Sequence, residues 1–309
     1  TVRGDLESAI EAGDRLVTHA REVGSPMYGV NMASHTSRAL IDLGRLDQAL
    51  ANAVSSAAII GVRPEDYPAY GILLARSNRR TEAREYLHRW VSNPAFKIEE
   101  AWAGRLYNLL EIAVLVGDRS LAAILSEPLR PLGDKLIIDM LTKASVARLL
   151  ADTDVLLGRT DDARGSYEQA IRVCTQSGFR PELAMSRLGL AELLLKSYPE
   201  ERRTAFDHLD IAIAEFKAMK MQPALNRATR LRGQPRSAPA KSEEYPDRLT
   251  AREGEVLRLI AAGRTNSEIS DELVLSVRTV ARHITNIYTK IGARSRTEAT
   301  AYAIHRDLT

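Results

Sequence analysis

The sequence predicts an all-α protein in which an array of helical hairpins precedes a separate four-helix unit. Aromatic residues make up only 5% of the 309 residues, and a composition rich in Ala, Leu and Arg favours helices over a sheet-built core. Apolar residues recur at spacings of three and four along most of the chain. Turn-forming residues interrupt these stretches at near-regular intervals. The length is sufficient for two or three domains.

A motif recurs four times in the first half of the chain, as Gly44–Ala49, Asn78–Ala83, Gly117–Ala122 and Gly158–Ala163. A turn-forming residue is followed five positions later by alanine. Gly or Asn tolerates the left-handed turn between two antiparallel helices, and alanine lets the second helix approach closely. The flanking apolar runs predict these helices: Ala33–Leu43, Leu46–Ile60, Tyr67–Ala75, Glu82–Val91, Trp102–Val116, Leu121–Leu125, Val146–Leu157 and Ala163–Cys174.

A fifth, looser hairpin is expected over Glu182–Lys217, with its turn near Ser197–Glu200. Leu6–Val23 is amphipathic and is expected to pair with an earlier helix or to cap the array. The pattern resembles tetratricopeptide (TPR) repeats, whose ideal period is about 34 residues. Most of that family's aromatic positions are unfilled, and two of the three spacings between the motifs are longer than the ideal. We therefore expect a TPR-like α-solenoid over residues 1–232; the alternative is a plain helical bundle with coincidental spacing.

The concave face of stacked hairpins usually binds peptides or packs on a neighbouring domain. A protein or peptide partner, or an upstream domain, is therefore the expected ligand of the repeats. Arg79, Arg80, Arg84 and Arg89 form a basic run on one hairpin. This run could accept an acidic partner, although such runs are more often solvated surface.

Residues 233–248 read GQPRSAPAKSEEYPDR and predict a flexible linker. Proline, serine and alternating charges give this segment too little apolar surface to fold alone. The approach to the C-terminal unit, from the end of the repeats into this linker, is basic. Its cations are Arg227, Arg230, Arg232, Arg236 and Lys241.

Residues 249–309 predict four short helices, at about Ala251–Ala262, Asn266–Leu273, Ser276–Gly292 and Thr297–Arg306. Three capping boxes mark helix starts, since a hydroxyl residue followed three positions later by Glu can satisfy both free backbone donors. The boxes are Thr250/Glu253, Thr265/Glu268 and Ser295/Glu298.

The third of these helices has two contrasting faces. One stripe is apolar and predicts core: Val277, Val280, Ile284, Ile287 and Ile291. The opposite side carries Arg278, Arg282, Thr285 and Thr289, flanked by Ala281 and Asn286. An arginine-bearing helix that follows a helix and a short turn is typical of a DNA-reading helix-turn-helix.

Leu249–Ala303 resembles the LuxR-type helix-turn-helix over nearly the whole length of that domain. The positions that carry the resemblance are Leu249, Thr250, Arg252, Glu253, Val256, Leu257, Gly263, Asn266, Glu268, Ile269, Leu273, Ser276, Thr279, Val280, His283, Ile287, Lys290, Arg296, Glu298 and Ala299.

The resemblance implies a role for each matching position. Arg282, Ala281 and Thr285 are the expected base readers, and an arginine can bind guanine with two hydrogen bonds. Where many relatives place Lys or Arg, this chain has Ala281, so the recognised sequence is expected to differ. The expected phosphate contacts are Arg278, Thr279, Asn266, Lys290 and Arg296. The expected dimer contact on the last helix is Ala299, Tyr302 and Ala303, a patch that equally suits packing within the domain.

No catalytic or cofactor-binding pattern is found, so we expect no enzyme, no cofactor and no metal. A phosphate-binding GxxxxGK[ST] loop is absent, and the six histidines are scattered without metal-ligand spacing. Net charge is +3, so any nucleic-acid surface must be local. A single cysteine, Cys174, and the lack of a long apolar run favour a cytoplasmic protein without a membrane partner.

Together these patterns predict a bacterial transcription regulator in signal transduction, with repeats that sense a partner and a helix-turn-helix that reads promoter DNA. Such an arrangement resembles the C-terminal half of large ATP-binding LuxR-type regulators. The chain begins without methionine, so we expect a fragment whose upstream region could carry catalytic domains. The alternative is a fragment of a signalling ATPase or cyclase regulator that acts mainly as a protein-interaction scaffold.

Overall fold

The computed structural model describes residues 2–67, 69–138, 143–233, 247, 249–273, 275, 277–306 and 308. The predicted all-α class is confirmed: the described residues form sixteen α-helices and a single two-stranded hairpin. They divide into two compact units, one within Thr1–Leu157 and Asp162–Gly233 and the other within Gly158–Asp161 and Gln234–Thr309. The linker predicted over 233–248 lies outside the described residues except for Gly233 and Asp247, so the three-part domain division stays a prediction.

The first unit consists of consecutive antiparallel helices. Short 3-10 turns lie at Pro64–Asp66, Ile98–Glu100, Glu127–Leu132 and Pro199–Glu201. The helices are α1 Leu6–Glu22, α2 Pro26–Leu43, α3 Leu46–Ile59, α4 Tyr70–Arg76, α5 Arg80–Val91, α6 Ala103–Val116, α7 Arg119–Ser126, α8 Val146–Leu157, α9 Thr160–Ser177, α10 Arg180–Ser197, α11 Arg202–Ala218 and α12 Gln222–Arg232.

The turns of the predicted hairpins have the backbone that their residue types favour. Gly44, Asn78, Gly117 and Gly158 all have positive φ, at 81°, 60°, 76° and 82°. The signature alanines are fully buried, at 0% exposure each: Ala49, Ala83, Ala122 and Ala163. Each motif therefore does join two helices whose closest approach needs a small side chain, while the assignment to the TPR family stays a prediction.

Two elements of the first unit were not predicted. Strands β1 Leu136–Ile138 and β2 Lys143–Ser145 form an antiparallel hairpin, with Leu136 opposite Ser145. Three-residue strands are too short to show a period of two in the sequence. Helix α12 was also missed, because Ala228 is its one buried residue among those described and its composition is that of a solvated segment.

The two ends of the array meet. Helix α12 packs on α2 as well as on α11. The backbone N–H of Arg180 donates to the carbonyl of Val2 at 3.1 Å. A Cβ on Gly44 would lie 2.9 Å from Pro223, so the turn after α2 fits closely against the start of α12. The hairpins therefore close on themselves instead of ending in two open edges.

A buried cluster of charges joins five helices of this unit. We name it the central ion cluster; its members come from α2, α4, α6, α8 and α10. They are Arg38, Asp42, Arg76, Glu111, Arg148, Asp152 and Glu182.

Glu182 of α10 is the hub of the central ion cluster. One of its oxygens accepts from Arg38 Nη2 at 3.2 Å. The other accepts from Arg148 Nε at 2.7 Å and from the backbone N–H of Ser145 at 3.0 Å. Its side chain is 2% exposed. Since an isolated buried carboxylate is very costly, the fold requires these three donors to be in place together.

Glu111 of α6 has two arginine partners, Arg38 at 3.4 Å and Arg76 in a very close contact. Burial alone would raise the pKa of Glu111, but the two guanidinium groups outweigh burial and lower the pKa to about 2. Glu111 is therefore ionised at neutral pH and held between two guanidinium groups.

The second unit contains four helices, with bounds within one or two residues of those predicted: α13 Ala251–Ala261, α14 Asn266–Leu273, α15 Val277–Ile291 and α16 Arg296–His305. Ser276, the predicted cap of α15, lies outside the described residues. The core of the unit is Leu249, Val256, Leu257, Ile260, Ile269, Val280, Ile284, Ile287, Ala299 and Ala303.

Glu182→Gln should destabilise the first unit by about 3–5 kcal/mol, because it leaves Arg38 and Arg148 buried without their shared carboxylate. Chemical denaturation of the full chain measures this. Glu82→Gln is the matched control: Glu82 pairs with Arg79 but is 51% exposed, so its loss should change the stability far less. Equal effects of the two substitutions would contradict the structural importance of the cluster.

The stability of the first unit should fall on acidification between pH 4.5 and about pH 2. The pKa of Glu111 is lowered from 4.5 to about 2 by folding. Its contribution is therefore complete above the unfolded pKa and is lost as the pH falls towards the folded value. Denaturation midpoints of wild type and Glu111→Gln across this range measure it, and the wild type should show the steeper decline. Parallel curves would contradict the assignment.

Candidate nucleic-acid interface

Capping interactions fix where the helices of the second unit begin. The Thr250/Glu253 box is complete, with both reciprocal hydrogen bonds present. The Thr265/Glu268 box is complete as well: the Thr265 N–H donates to Glu268 at 2.7 Å, and the Glu268 N–H donates to Thr265 Oγ1 at 3.3 Å. In the third, Ser295 accepts from the Glu298 N–H, but the Glu298 carboxylate accepts from the N–H of Arg294 instead. That predicted box is therefore only half formed.

Helix α15 has one buried and one exposed face, as predicted. Val280 and Ile287 are fully buried, and Ile284 is 9% exposed. The predicted core role of Val277 is wrong, because its side chain is 49% exposed at the first turn. On the opposite side, an exposed stripe at spacings of three and four carries Arg278, Ala281, Thr285 and Thr289. We call this stripe the α15 outer face.

The three predicted base readers lie on or beside the α15 outer face. Ala281 and Thr285 are exposed, and Arg282 is half-buried next to them. Thr285 Oγ1 donates to the carbonyl of Ala281 at 3.1 Å, which leaves the hydroxyl oxygen able to accept. The surface of this turn is small and polar, with arginine at its margin.

The predicted phosphate contacts fall into two groups. Arg278 is exposed on the first turn of α15. Thr279 is 7% exposed, and its role as a phosphate contact stays a prediction. The three others, Asn266, Lys290 and Arg296, all make contacts inside the unit.

Lys290 forms an ion pair with a buried carboxylate across the unit. Its Nζ donates to Glu253 Oε2 at 2.7 Å, and the Glu253 side chain is 5% exposed. The same oxygen accepts from the backbone N–H of Thr250 at 2.8 Å. Burial alone would raise the pKa of Glu253, but Lys290 and Thr250 outweigh it and lower the pKa. The pair ties the end of α15 to the start of α13.

Arg296 is engaged at the start of α14. Its Nη1 donates to Asn266 Oδ1 at 3.2 Å, and its Nη2 donates to the carbonyl of Arg264 in a very close contact. Arg296 thus joins α16 to the turn before α14. The sequence did not predict these contacts, because the spacing of the residues along the chain does not reveal that they lie close together in the fold.

Two of the three predicted dimer contacts belong to the core of the unit. Ala299 and Ala303 are both 0% exposed, so packing within the domain, the alternative left open by the sequence, accounts for these two side chains. Tyr302 is partly exposed and donates to the Asp247 carboxylate. Burial, together with this hydrogen bond, raises the pKa of Tyr302 to about 12. The large apolar side chain that α16 does expose is Ile304, at 58%.

Metal-binding and membrane-spanning features were sought over the described part of the chain. No group of three or more His, Cys, Asp or Glu side chains there is arranged to hold a metal ion. Within the same residues, no helix has both the length and the apolar character needed to cross a bilayer.

The second unit matches a known family of regulators. Residues 247–303 match the family model described as bacterial regulatory proteins, luxR family. Over 59 residues the chain is 52% identical to the transcriptional regulatory protein LiaR of Bacillus subtilis, covering 19% of this chain and 28% of the relative. Over 60 residues it is 47% identical to the oxygen regulatory protein NreC of Staphylococcus aureus, with the same coverage. The C-terminal unit is therefore a luxR-family helix-turn-helix, as predicted.

A longer similarity extends through the repeat unit. The chain is 24% identical over 299 residues to the putative HTH-type transcriptional regulator Rv0890c of Mycobacterium tuberculosis, covering 94% of this chain. The match occupies 32% of that relative's length. The chain thus spans about a third of the length of the curated relatives that it matches.

Glu253→Gln should destabilise the second unit by about 2 kcal/mol, because it leaves Lys290 without its buried charge partner and weakens a complete capping box. Hydrogen exchange of the α13 and α15 amides in the full chain measures this. Glu255→Gln is the control, since Glu255 pairs with Arg252 at 44% exposure and should cost under about 1 kcal/mol. Unchanged protection in Glu253→Gln would show that Lys290 is not needed for the fold.

Proposed function

We propose that this chain is a DNA-binding transcription regulator that acts in the cytoplasm and reads promoter DNA with α15. The observation that carries the proposal is the α15 outer face. It exposes small residues and an arginine, while the opposite face of the same helix packs into the core of the unit. From Val277 to Arg296 the sequence holds five basic residues and no acid. Such a segment suits the major groove, where phosphates line both edges.

The first half of α15 carries the reading role. In helix-turn-helix proteins the N-terminal residues of the second helix reach the base edges. Ala281 can contact a thymine methyl, Thr285 can exchange hydrogen bonds with a base edge, and Arg282 can bind guanine. Arg278, at the exposed first turn, is placed to contact a phosphate. These assignments follow from which side chains the helix presents.

The roles of Lys290, Arg296 and Asn266 are mainly structural in this proposal. Lys290 is held by Glu253 at 2.7 Å, and Arg296 by Asn266 at 3.2 Å. Lys290 and Arg296 can still add positive potential near DNA, but replacing any of the three also disturbs the unit. Their substitution is therefore a poor test of phosphate binding, and Arg278 is the better one.

The repeat unit supplies regulation in this proposal. Its interior holds a large apolar core together with the central ion cluster, so a protein or peptide partner, or an upstream segment, would meet the outer helix surfaces. Helices α1 to α3 expose several large apolar side chains, among them Val23, Met27 and Ile59 at 58%, 55% and 46%. A homodimer on an inverted repeat is also part of the proposal, with exposed Ile304 of α16 available to it.

The alternative function is a scaffold in which DNA contact is secondary. One experiment separates the two: select preferred DNA from a random pool with the full chain, then titrate selected and random duplexes by fluorescence anisotropy at several salt concentrations. A regulator should bind the selected duplex at least about 10³-fold more tightly. Weak binding without preference would favour the scaffold.

Arg282→Ala should weaken the selected duplex by about 1–3 kcal/mol and relax the preference at one base pair. Arg278→Ala should weaken selected and random duplexes equally, and should reduce the salt slope by about one. Anisotropy titrations measure both. Arg258→Ala, an exposed arginine on α13, is the matched control and should change neither. A uniform loss in Arg282→Ala would assign this arginine to a phosphate instead.

A further inference from the structure

A groove on the outer surface of the repeat unit is lined by α9, α10 and α11. Its volume is about 270 Å³. The apolar side chains Ile171, Leu190 and Leu194 line it together with the polar groups of Arg172, Thr204 and His208. Arg164, Glu168 and Glu201 line it as well. We call it the α9–α11 groove.

Both acidic side chains of this groove are held by one arginine. Arg164 donates to both oxygens of Glu201, at 2.6 and 3.0 Å, and to Glu168 at 3.1 Å. This arrangement occupies one guanidinium with two carboxylates. Arg172 lies in the same groove, and among the described residues no carboxylate approaches it within ion-pair distance.

Arg187 stands beside the groove, in contact with His208. In the described part of the chain no carboxylate lies within ion-pair distance of it, and Glu215 acts on it only from farther away. In the same unit, the deeply buried arginines Arg38 and Arg148 each have carboxylate partners. Arg187 Nε is buried, and no acceptor lies within hydrogen-bond distance of it in the described part of the chain. Its Nη1 lies 3.1 Å from His208 Nδ1. A half-buried guanidinium that has a histidine ring in place of an anion is short of acceptors.

The contact fixes the protonation of His208. A guanidinium only donates, so Nδ1 accepts and the ring proton sits on Nε2. Burial, and next the charge of Arg187, lower the pKa of His208; Asp207 and Glu168 oppose them weakly. His208 therefore faces one cation, Arg187 on α10, and two carboxylates, Asp207 on its own helix and Glu168 on α9, of which Glu168 is held by Arg164.

We propose that the α9–α11 groove binds an organic carboxylate. The anion would lie against His208 and Arg172, with Arg187 behind the His208 ring, and the hydrocarbon part would cover Leu190, Leu194 and Ile171. The apolar floor favours a carboxylate with several carbons over a bare inorganic anion. The source is either a free small-molecule acid or the side chain of an acidic peptide. The inference does not depend on DNA binding by α15.

The test uses the full chain and sodium hexanoate as the probe. Calorimetry measures its binding, with hexan-1-ol as the uncharged analogue and inorganic phosphate as the anion without a tail. Hexanoate should bind more tightly than either. N-acetylglutamate amide carries the carboxylate of an acidic side chain. Tighter binding than that of hexanoate would identify an acidic peptide as the source, and weaker binding would identify a free small-molecule acid. Absence of hexanoate binding, or equal binding of hexan-1-ol, overturns the proposal.

Variants locate the site. Arg187→Gln should weaken hexanoate at least about tenfold, whereas Arg203→Gln, an exposed arginine on α11, should leave it unchanged. Arg172→Gln should also weaken binding, and gives an independent test if Arg187→Gln fails to fold. Equal affinity in wild type, Arg187→Gln and Arg172→Gln would place hexanoate elsewhere and refute the site.

The ring of His208 gives a second readout. Saturating hexanoate should raise its pKa, measured by carbon-detected NMR titration and assigned with His208→Gln, because a bound anion favours the charged imidazole. His19 and His305, which lie outside the groove, serve as internal controls and should not shift. An unchanged pKa of His208 with hexanoate bound would contradict the proposed contact.

Discussion

Charge balance in the interior of the repeat unit is the constraint on which its architecture depends. Glu182 of α10 accepts from Arg38 of α2 and Arg148 of α8, and Glu111 of α6 accepts from Arg38 and from Arg76 of α4. A hairpin that shifted by one helical turn would leave a guanidinium or carboxylate buried and unpaired, at a cost of several kcal/mol. The cluster therefore selects one register for the whole array. Hydrophobic packing of alanine-rich helix faces, which tolerates small slides, would specify that register less strictly.

The second unit uses the same device on a smaller scale, and this changes how its cations should be understood. Lys290 and Arg296 resemble phosphate ligands by position, yet each is held by a partner from another helix, Glu253 and Asn266. A cation fixed in this way orients α15 and contributes positive potential without a free choice of rotamer. Different parts of α15 therefore have different tasks. Its first turns face outward, where they can contact bases, and its last turn anchors the helix to α13.

Sequence patterns predicted the helices well, because the signals are local. Gly44 and Gly117 take left-handed turns that their neighbours cannot, and Ala49 and Ala122 are buried where two helices touch. The complete boxes at Thr250 and Thr265 have equally local causes. Partnerships between distant residues have no such signature: Arg38 and Glu182 lie far apart in the chain, and nothing in either neighbourhood marks them as a pair. Exposure was also hard to predict at helix ends, as Val277 shows. Periodicity indicates which face of a helix is apolar, but it does not indicate how deeply each turn of that face is buried.

The pairing of buried arginines with carboxylates also indicates where the repeat unit could bind an anion. A folded chain can keep a buried arginine charged only with acceptors nearby, and the repeat unit provides them for Arg38, Arg148 and Arg164. Arg187 contacts the ring of His208 where those arginines contact a carboxylate. It lies beside the α9–α11 groove, whose own carboxylates are held by Arg164. An arginine retained there costs stability unless something outside the chain completes its coordination at least part of the time. On this reasoning the internal ion pairs maintain the fold, and the cation without a carboxylate marks a surface that an anion from solution can reach.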